Sequence, residues 1–177
     1  MIFTSQIASP VGKITLCSDG EFLIGLAFEE ERHSRDRSGA ITTPNPVLLD
    51  AERQLHEYFA GWRKTFDLPL SPEGTVFQQR VWQQLLKIPF GETISYLELA
   101  RRVGNEKAVR AVGMANGRNP IGLIIPCHRV IGSNGNLIGY GGGLPRKEFL
   151  LRHEGVRLRG GQGSMFPAPN AQSAEQS

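Results

Sequence analysis

The residues that most constrain this chain are Ile121, Leu123, Ile124 and Ile125, followed by Pro126-Cys127-His128-Arg129-Val130. An apolar run this dense must be buried, and its β-branched members predict a strand. Pro126 fixes φ directly before the sulfur. The expectation is a buried strand that ends at Cys127 and holds a thiol at the mouth of a pocket. A Cys-His dipeptide alone reads first as a small core cysteine beside a surface histidine, so the flanking chain must decide.

With 177 residues, 40% of them hydrophobic, the chain can form one domain or two small ones sharing an interface. No apolar run reaches the length of a membrane span, and Met1-Ile2-Phe3-Thr4 is not a secretory leader. Cys17 and Cys127 are the two cysteines, and pairing them would consume the candidate nucleophile. Free thiols in a reducing cytoplasm are therefore expected. Residues 1–75 carry seven Lys/Arg against eleven Asp/Glu, a net −4, whereas residues 76–159 carry thirteen against five, a net +8. A basic half beside an acidic half is the footprint of a chain whose second half meets a polyanion, although alone it favours nucleic acid only modestly.

Three short strands are expected at Ile2 to Ile7, Lys13 to Ser18 and Phe22 to Phe28, with turn signals at Ser9-Pro10-Val11-Gly12 and Asp19-Gly20. Asn45-Pro46 opens a helix in which Leu48, Leu55 and Phe59 share a face, and Gly61 stops it. The linker from Phe66 to Gly74 contains Pro69 and Pro72; a helix then starts near Thr75, with Phe77, Val81, Leu85 and Ile88 on one face. Ser95 to Glu98 matches a capping box, predicting a helix from about Tyr96 to Val103. Gly104-Asn105 turns the chain into a further helix from about Glu106 to Asn116, closed by Gly117. These two helices form a helix-turn-helix pattern, a weak signal by itself. The second is rich in Ala108, Ala111, Gly113 and Ala115, with Arg110 the long cation at its centre. A last helix runs from Pro145 to about Glu154, and the Gly/Pro/Ser/Gln-rich residues 159–177 read as a disordered tail. His33 and His56 have no ligand-spaced companions, so no metal site is expected.

The fold class is thus α+β: a three-stranded antiparallel sheet with a helix over residues 1–75, then a mainly helical unit over 76–158. The order of Arg110-Ala111-Val112-Gly113, Asn119-Pro120, Pro126-Cys127-His128-Arg129-Val130, Tyr140-Gly141-Gly142-Gly143 and His153-Glu154-Gly155 resembles the O6-alkylguanine-DNA alkyltransferases. The resemblance covers nearly all of residues 76–158 and is weaker over 1–75, where it implies a small ribonuclease-H-like sheet. It implies DNA repair by direct reversal: Cys127 takes an alkyl group from guanine O6 in double-stranded DNA once and irreversibly, after the nucleotide is flipped out. O4-alkylthymine stays open as a second substrate. No cofactor is implied, and a monomer, with cooperative DNA binding left open, is expected.

The chemistry asks for a base, because a thiol, whose unperturbed pKa is about 8.5, is mostly protonated at neutral pH. His128 is adjacent, but successive strand residues point to opposite sides, so a bridging water is expected between them. The resemblance gives Glu154 as the carboxylate that orients the imidazole, Tyr96 as the hydroxyl near guanine N3, and the Gly141 N–H as the donor to O6. It gives the carbonyls of Cys127 and Val130 as acceptors for the exocyclic amine, Tyr140 as an apolar wall and Asn119 as the brace of the turn before the cysteine. Family members often have serine where this chain has Gly141. Arg110 is the residue implied to enter the duplex, with Ala111 and Ala115 allowing close approach and Arg118 and Arg129 as further DNA contacts. A Cys-His hydrolase and a lesion sensor that does not repair remain the competing classes; the first would turn over, and the second would lack the reactive cysteine.

Overall fold

The computed structural model describes residues 1–31 and 36–158. His33 and the tail from residue 159 lie outside the described residues. Strands β1 (Phe3–Ile7), β2 (Ile14–Ser18) and β3 (Leu23–Phe28) form an antiparallel sheet in that order. At the β2–β3 turn Asp19 Oδ1 accepts from the N–H groups of Glu21 (2.9 Å) and Phe22 (2.8 Å), and Gly20 takes φ +107°. Ile14 pairs with Phe28 and Leu16 with Leu26, which sets the apolar positions on one buried face.

Helix α1 (Pro46–Phe59) packs on that face. Asn45 Oδ1 caps the N–H groups of Val47 (2.9 Å) and Leu48 (3.3 Å). Leu48, Ala51, Leu55 and Tyr58 recur at helical spacing and are buried. Each leucine so buried contributes roughly 1.5–3 kcal/mol.

The second half contains α2 (Val76–Leu85), β4 (Ile94–Ser95), α3 (Tyr96–Val103), α4 (Val109–Gly117), β5 (Val130–Ile131) and α5 (Leu144–His153). β4 and β5 pair in parallel. Thr75 and Gln78 complete a reciprocal capping box at α2. At α3 only half of the expected box forms. Ser95 Oγ accepts from Glu98 N (3.0 Å), while the Glu98 carboxylate turns to Arg102 (3.2 Å). Gly104 at φ +102° ends α3, and residues 106–108 form a 3-10 turn before α4 because Asn105 Oδ1 captures Lys107 N (3.0 Å). One hydrophobic core joins the two halves, from Ile14 and Leu55 to Leu99, Ile125 and Leu150.

The strand expected before Cys127 is not formed. Residues 121–126 make a buried turn, with Leu123 at φ +67°, and Cys127–Arg129 is a single 3-10 turn. Pro120 and Pro126 remove two ladder donors. Local bonds replace the ladder: Ile124 N to Gly122 O (2.7 Å), Ile125 N to Ile121 O (3.0 Å) and Cys127 N to Ile125 O (2.8 Å). The β-branched run reports burial rather than extension. What aligns this turn is the edge of β3: Leu26 N donates to Pro120 O (3.0 Å), and Gly122 N donates to Leu26 O (3.3 Å).

Candidate active site

Cys127 sits buried at the end of that turn. Asn119 braces it: Oδ1 accepts from Ile121 N (3.0 Å), and Nδ2 donates to Ile125 O (2.7 Å) and to Cys127 Sγ (3.1 Å). The same amide therefore shapes the turn and touches the sulfur. Burial pushes the Cys127 thiol up to about 11, against the opposing pull of Asn119 and Lys147. A thiol so placed stays protonated at neutral pH until a base takes its proton.

His128 is fully buried, and burial pushes its pKa down, which keeps the ring neutral. Its Nε2 lies 2.7 Å from Glu154 Oε2. An ionised carboxylate can only accept, so Nε2 carries the hydrogen and Nδ1 carries the lone pair. Nδ1 is buried and has no hydrogen-bond partner among the described residues. The arrangement is a neutral imidazole locked in one tautomer with its basic nitrogen free.

Glu154 is a hub. Oε2 also accepts from Tyr58 Oη (2.6 Å) and Arg129 Nη2 (3.1 Å); Oε1 accepts from Arg129 Nε (2.7 Å) and Gly91 N (3.3 Å). Burial works to raise this carboxyl, but His128 and Arg129 outweigh it and hold it far below the usual carboxylate range. Arg129 further donates to Ile88 O (2.6 Å) and is only 6% exposed. The expectation that Arg129 contacts DNA is therefore corrected: its guanidinium is consumed inside the protein, neutralising Glu154.

Acid should destabilise this cluster in two steps. His128 has a lowered folded pKa, so the unfolded chain binds its proton first as pH falls through about 6.5. The depressed Glu154 carboxyl stabilises the fold above about 4.3 and loses that contribution below it. Melting temperature should therefore fall from pH 7 to pH 4, measured by circular dichroism; a flat or rising profile would contradict the charge assignments.

Lys147 closes the other side. It is fully buried, and its Nζ donates to Val130 O (2.6 Å), Ile138 O (2.9 Å) and Gly139 O (3.2 Å). Burial lowers its pKa to about 8. Tyr96 Oη donates to Ile138 O (2.8 Å), and its pKa is raised to about 12 by burial and then by Cys127 nearby. Tyr140 tilts against Phe28, with ring centroids 6.0 Å apart, and its buried hydroxyl has no partner among the described residues. A Cβ at Gly141 would stand 2.7 Å from Glu31 Oε1, so a larger residue here would require the Glu31 side chain to shift. Arg146 fastens the glycine loop to the first half, donating to Gly142 O (2.9 Å), Val11 O (2.8 Å) and Glu29 O (3.0 Å).

Sequence reasoning misses Tyr58, Asn116, Lys147 and Arg146. Lys147 shares a helical face with Leu150, Leu151 and Glu154, a pattern legible in the residues. Asn116 Nδ2 donates to Cys127 O (3.3 Å) from the inner side of α4, with no local sequence signal. Arg110 and Ala111 on α4, and Arg118 capping its C-terminus, are exposed. Ala115 is not; it is 3% exposed, and its carbonyl accepts from Trp82 Nε1 (2.9 Å), so its expected place at a DNA surface is corrected to a place in the core.

Two family models match the chain. The one described as "6-O-methylguanine DNA methyltransferase, ribonuclease-like domain" spans residues 2–72, and the one described as "6-O-methylguanine DNA methyltransferase, DNA binding domain" spans 76–156. A methylated-DNA–protein-cysteine methyltransferase of Methanosarcina acetivorans is 50% identical over 147 residues, 83% of this chain and 94% of that protein. The Mycobacterium bovis protein of the same name is 49% identical over 158 residues, 89% of this chain and 94% of that one. The crystal structure of Mycobacterium tuberculosis OGT in complex with DNA matches with a TM-score of 0.83 at 48% identity, over 86% of this chain and 93% of that one. An O6-methylguanine DNA methyltransferase structure from Methanococcus jannaschii matches with a TM-score of 0.62 at 30% identity, over 89% and 97% of the two chains.

Proposed function

The chain belongs to the 6-O-methylguanine DNA methyltransferase family, and on that premise we propose that it repairs DNA by moving the alkyl group of O6-alkylguanine onto the sulfur of Cys127. The observation that supports the assignment to this residue is the tautomer lock: Glu154 holds His128 Nε2, leaving Nδ1 as a buried, unpartnered base on the residue that follows the buried Cys127. The thiol proton passes to Nδ1 through one bridging water, and Asn119 Nδ2, which donates to Sγ, steadies the sulfur as it gains charge. The sulfur then attacks the alkyl carbon in line; the S–C bond forms as the C–O6 bond breaks, and guanine leaves with the electron pair. A proton returned to the base leaves neutral guanine, and Cys127 ends as a thioether. Thioethers do not hydrolyse, so each molecule acts once.

The remaining roles are those that the family resemblance implies for these residues. The Gly141 N–H meets the negative charge developing on O6. Tyr96 exchanges its Ile138 acceptor for guanine N3. The Val130 carbonyl already accepts from Lys147, and the Cys127 carbonyl accepts from both Asn116 and the Val130 N–H, so the latter exchanges one of these donors for the exocyclic amine. Tyr140 walls the pocket. Arg110, Ala111 and Arg118 present α4 to the duplex, with Arg110 taking the space of the flipped nucleotide. The chain works as a monomer of two units, residues 1–75 and 76–158, in a reducing cytoplasm. Among the described residues no helix is long and apolar enough to cross a membrane.

Titrating the protein with an O6-methylguanine duplex tests this. Repair should plateau at one alkyl group per molecule, and Cys127→Ser should bind the duplex without transferring anything, since a hydroxyl is a far weaker nucleophile than a thiolate. Transfer continuing beyond the amount of protein would reject the mechanism.

A further inference from the structure

The exposed side of α4 carries one residue that the repair mechanism does not use. Met114 is 66% exposed, whereas Ile125 and Val130, the large apolar residues flanking Cys127 in the chain, are buried. At about 100° per residue, Arg110, Ala111, Met114, Gly117 and Arg118 fall within an arc of about 120°, with Met114 near its middle. These five positions are exposed, whereas Val112, Ala115 and Asn116 turn into the core. Ala111 and Gly117 make the platform around Met114 low, so its thioether is the apolar projection of a face otherwise made of cations and small residues. The backbone behind it is anchored at the pocket: a Cβ on Gly113 would lie 3.8 Å from the Tyr96 ring. Met114 lies one turn further along this helix, about 6 Å along the axis from Arg110.

We infer that Met114 is a second DNA-positioning residue, an apolar prop that rests on the deoxyribose and base edges flanking the extruded nucleotide. The inference rests on the reading of α4 as the duplex-facing helix. Phosphates reward Arg110 and Arg118 but give a thioether nothing. Sugar C–H groups and opened base steps offer it apolar surface, and groove-binding proteins insert methionine at such steps. The side chain is unbranched and soft, so it can follow a base step that changes shape as a nucleotide leaves the stack. A bent or opened duplex is then held at two points one helical turn apart, by a guanidinium in the gap and an apolar prop beside it.

Single-turnover rates on an O6-methylguanine duplex and on free O6-benzylguanine, measured for Met114→Ala, Met114→Leu and Arg110→Ala, test the inference. Met114→Ala should slow duplex repair about tenfold, the scale of losing one well-buried apolar side chain. Met114→Leu should retain most of the rate, and both Met114 variants should react with the free base like the parent. The salt dependence of duplex binding should keep its slope in Met114→Ala, because no phosphate contact is lost. Duplex repair by Met114→Ala at the parent rate, while Arg110→Ala is slow, would overturn the role of Met114 and leave the reading of α4 standing. Parent rates on duplex in both Met114→Ala and Arg110→Ala would overturn that reading as well.

Discussion

Glu154→Gln should both loosen the fold and slow the chemistry. The two carboxylate oxygens accept from His128, Arg129, Tyr58 and Gly91, and every one of these partners is a donor. A glutamine offers one oxygen and an amide that can only donate, so one side of the hub meets donor with donor. It also leaves the Arg129 cation buried without its anion. Removing one member of a buried pair costs about 3–5 kcal/mol, which in a chain this long lowers the melting temperature by roughly 10 °C. The chemical effect has a separate signature. Without the carboxylate, the imidazole hydrogen is free to move to Nδ1, the nitrogen that must stay basic. Transfer at pH 7 should fall about 10²-fold, the lower end of what a positioned base contributes. The loss should shrink in alkaline buffer, as the pH approaches the raised thiol pKa of about 11 and the thiolate forms unaided. Rates taken well below the melting temperature separate the two effects, and a pH–rate profile identical to the parent's would reject the relay through His128.

The second large effect belongs to Arg110. Extruding a nucleotide costs a few kcal/mol and leaves a gap between two stacked faces. A planar guanidinium can stack there and hydrogen-bond to the orphaned base. Arg110 is exposed on α4, where Ala111 and Gly117 keep the surrounding surface low. Arg110→Ala should slow duplex repair on the order of 10²-fold, the worth of two to three kcal/mol of flipping free energy. Reaction with free O6-benzylguanine should be nearly unchanged, because a free base needs no flipping. If Arg110 only touches phosphate, binding to all DNA should weaken and the salt slope should drop by about one. Parent-rate repair of the duplex under saturating protein would move the role elsewhere, with Arg118 next to test.

Much of the fold is legible in the residues because local signals and tertiary structure agree. Asp19-Gly20 marks a hairpin that forms, and Asn45-Pro46 marks a helix start that is capped as expected. Legibility fails where burial and conformation part company. Ile121 to Ile125 looks like a strand because apolar density reports burial; the flanking prolines and the positive φ of Leu123 make it a turn. Arg129 looks like a DNA contact because a cation in a basic half is expected outside. Only the fold brings Glu154 from the end of α5 and Ile88 O from beyond α2 to receive it. Ala115 misleads for a related reason, since small residues suit a tight core as well as a close approach to DNA. The sequence puts Phe59 on the buried face of α1, but the structure buries Tyr58 more deeply, and the partner that its hydroxyl needs lies 96 residues away.

The final resting place of the alkyl group is Cys127 if the site works as proposed. Intact-mass analysis followed by peptide mapping, after mixing the protein with an excess of O6-methylguanine duplex, reads this directly. The predicted result is a gain of one methylene-equivalent mass per chain, carried entirely by the peptide containing Cys127 and absent in Cys127→Ser. An unmodified chain alongside repaired DNA, or the added mass on the Cys17 peptide, would contradict it.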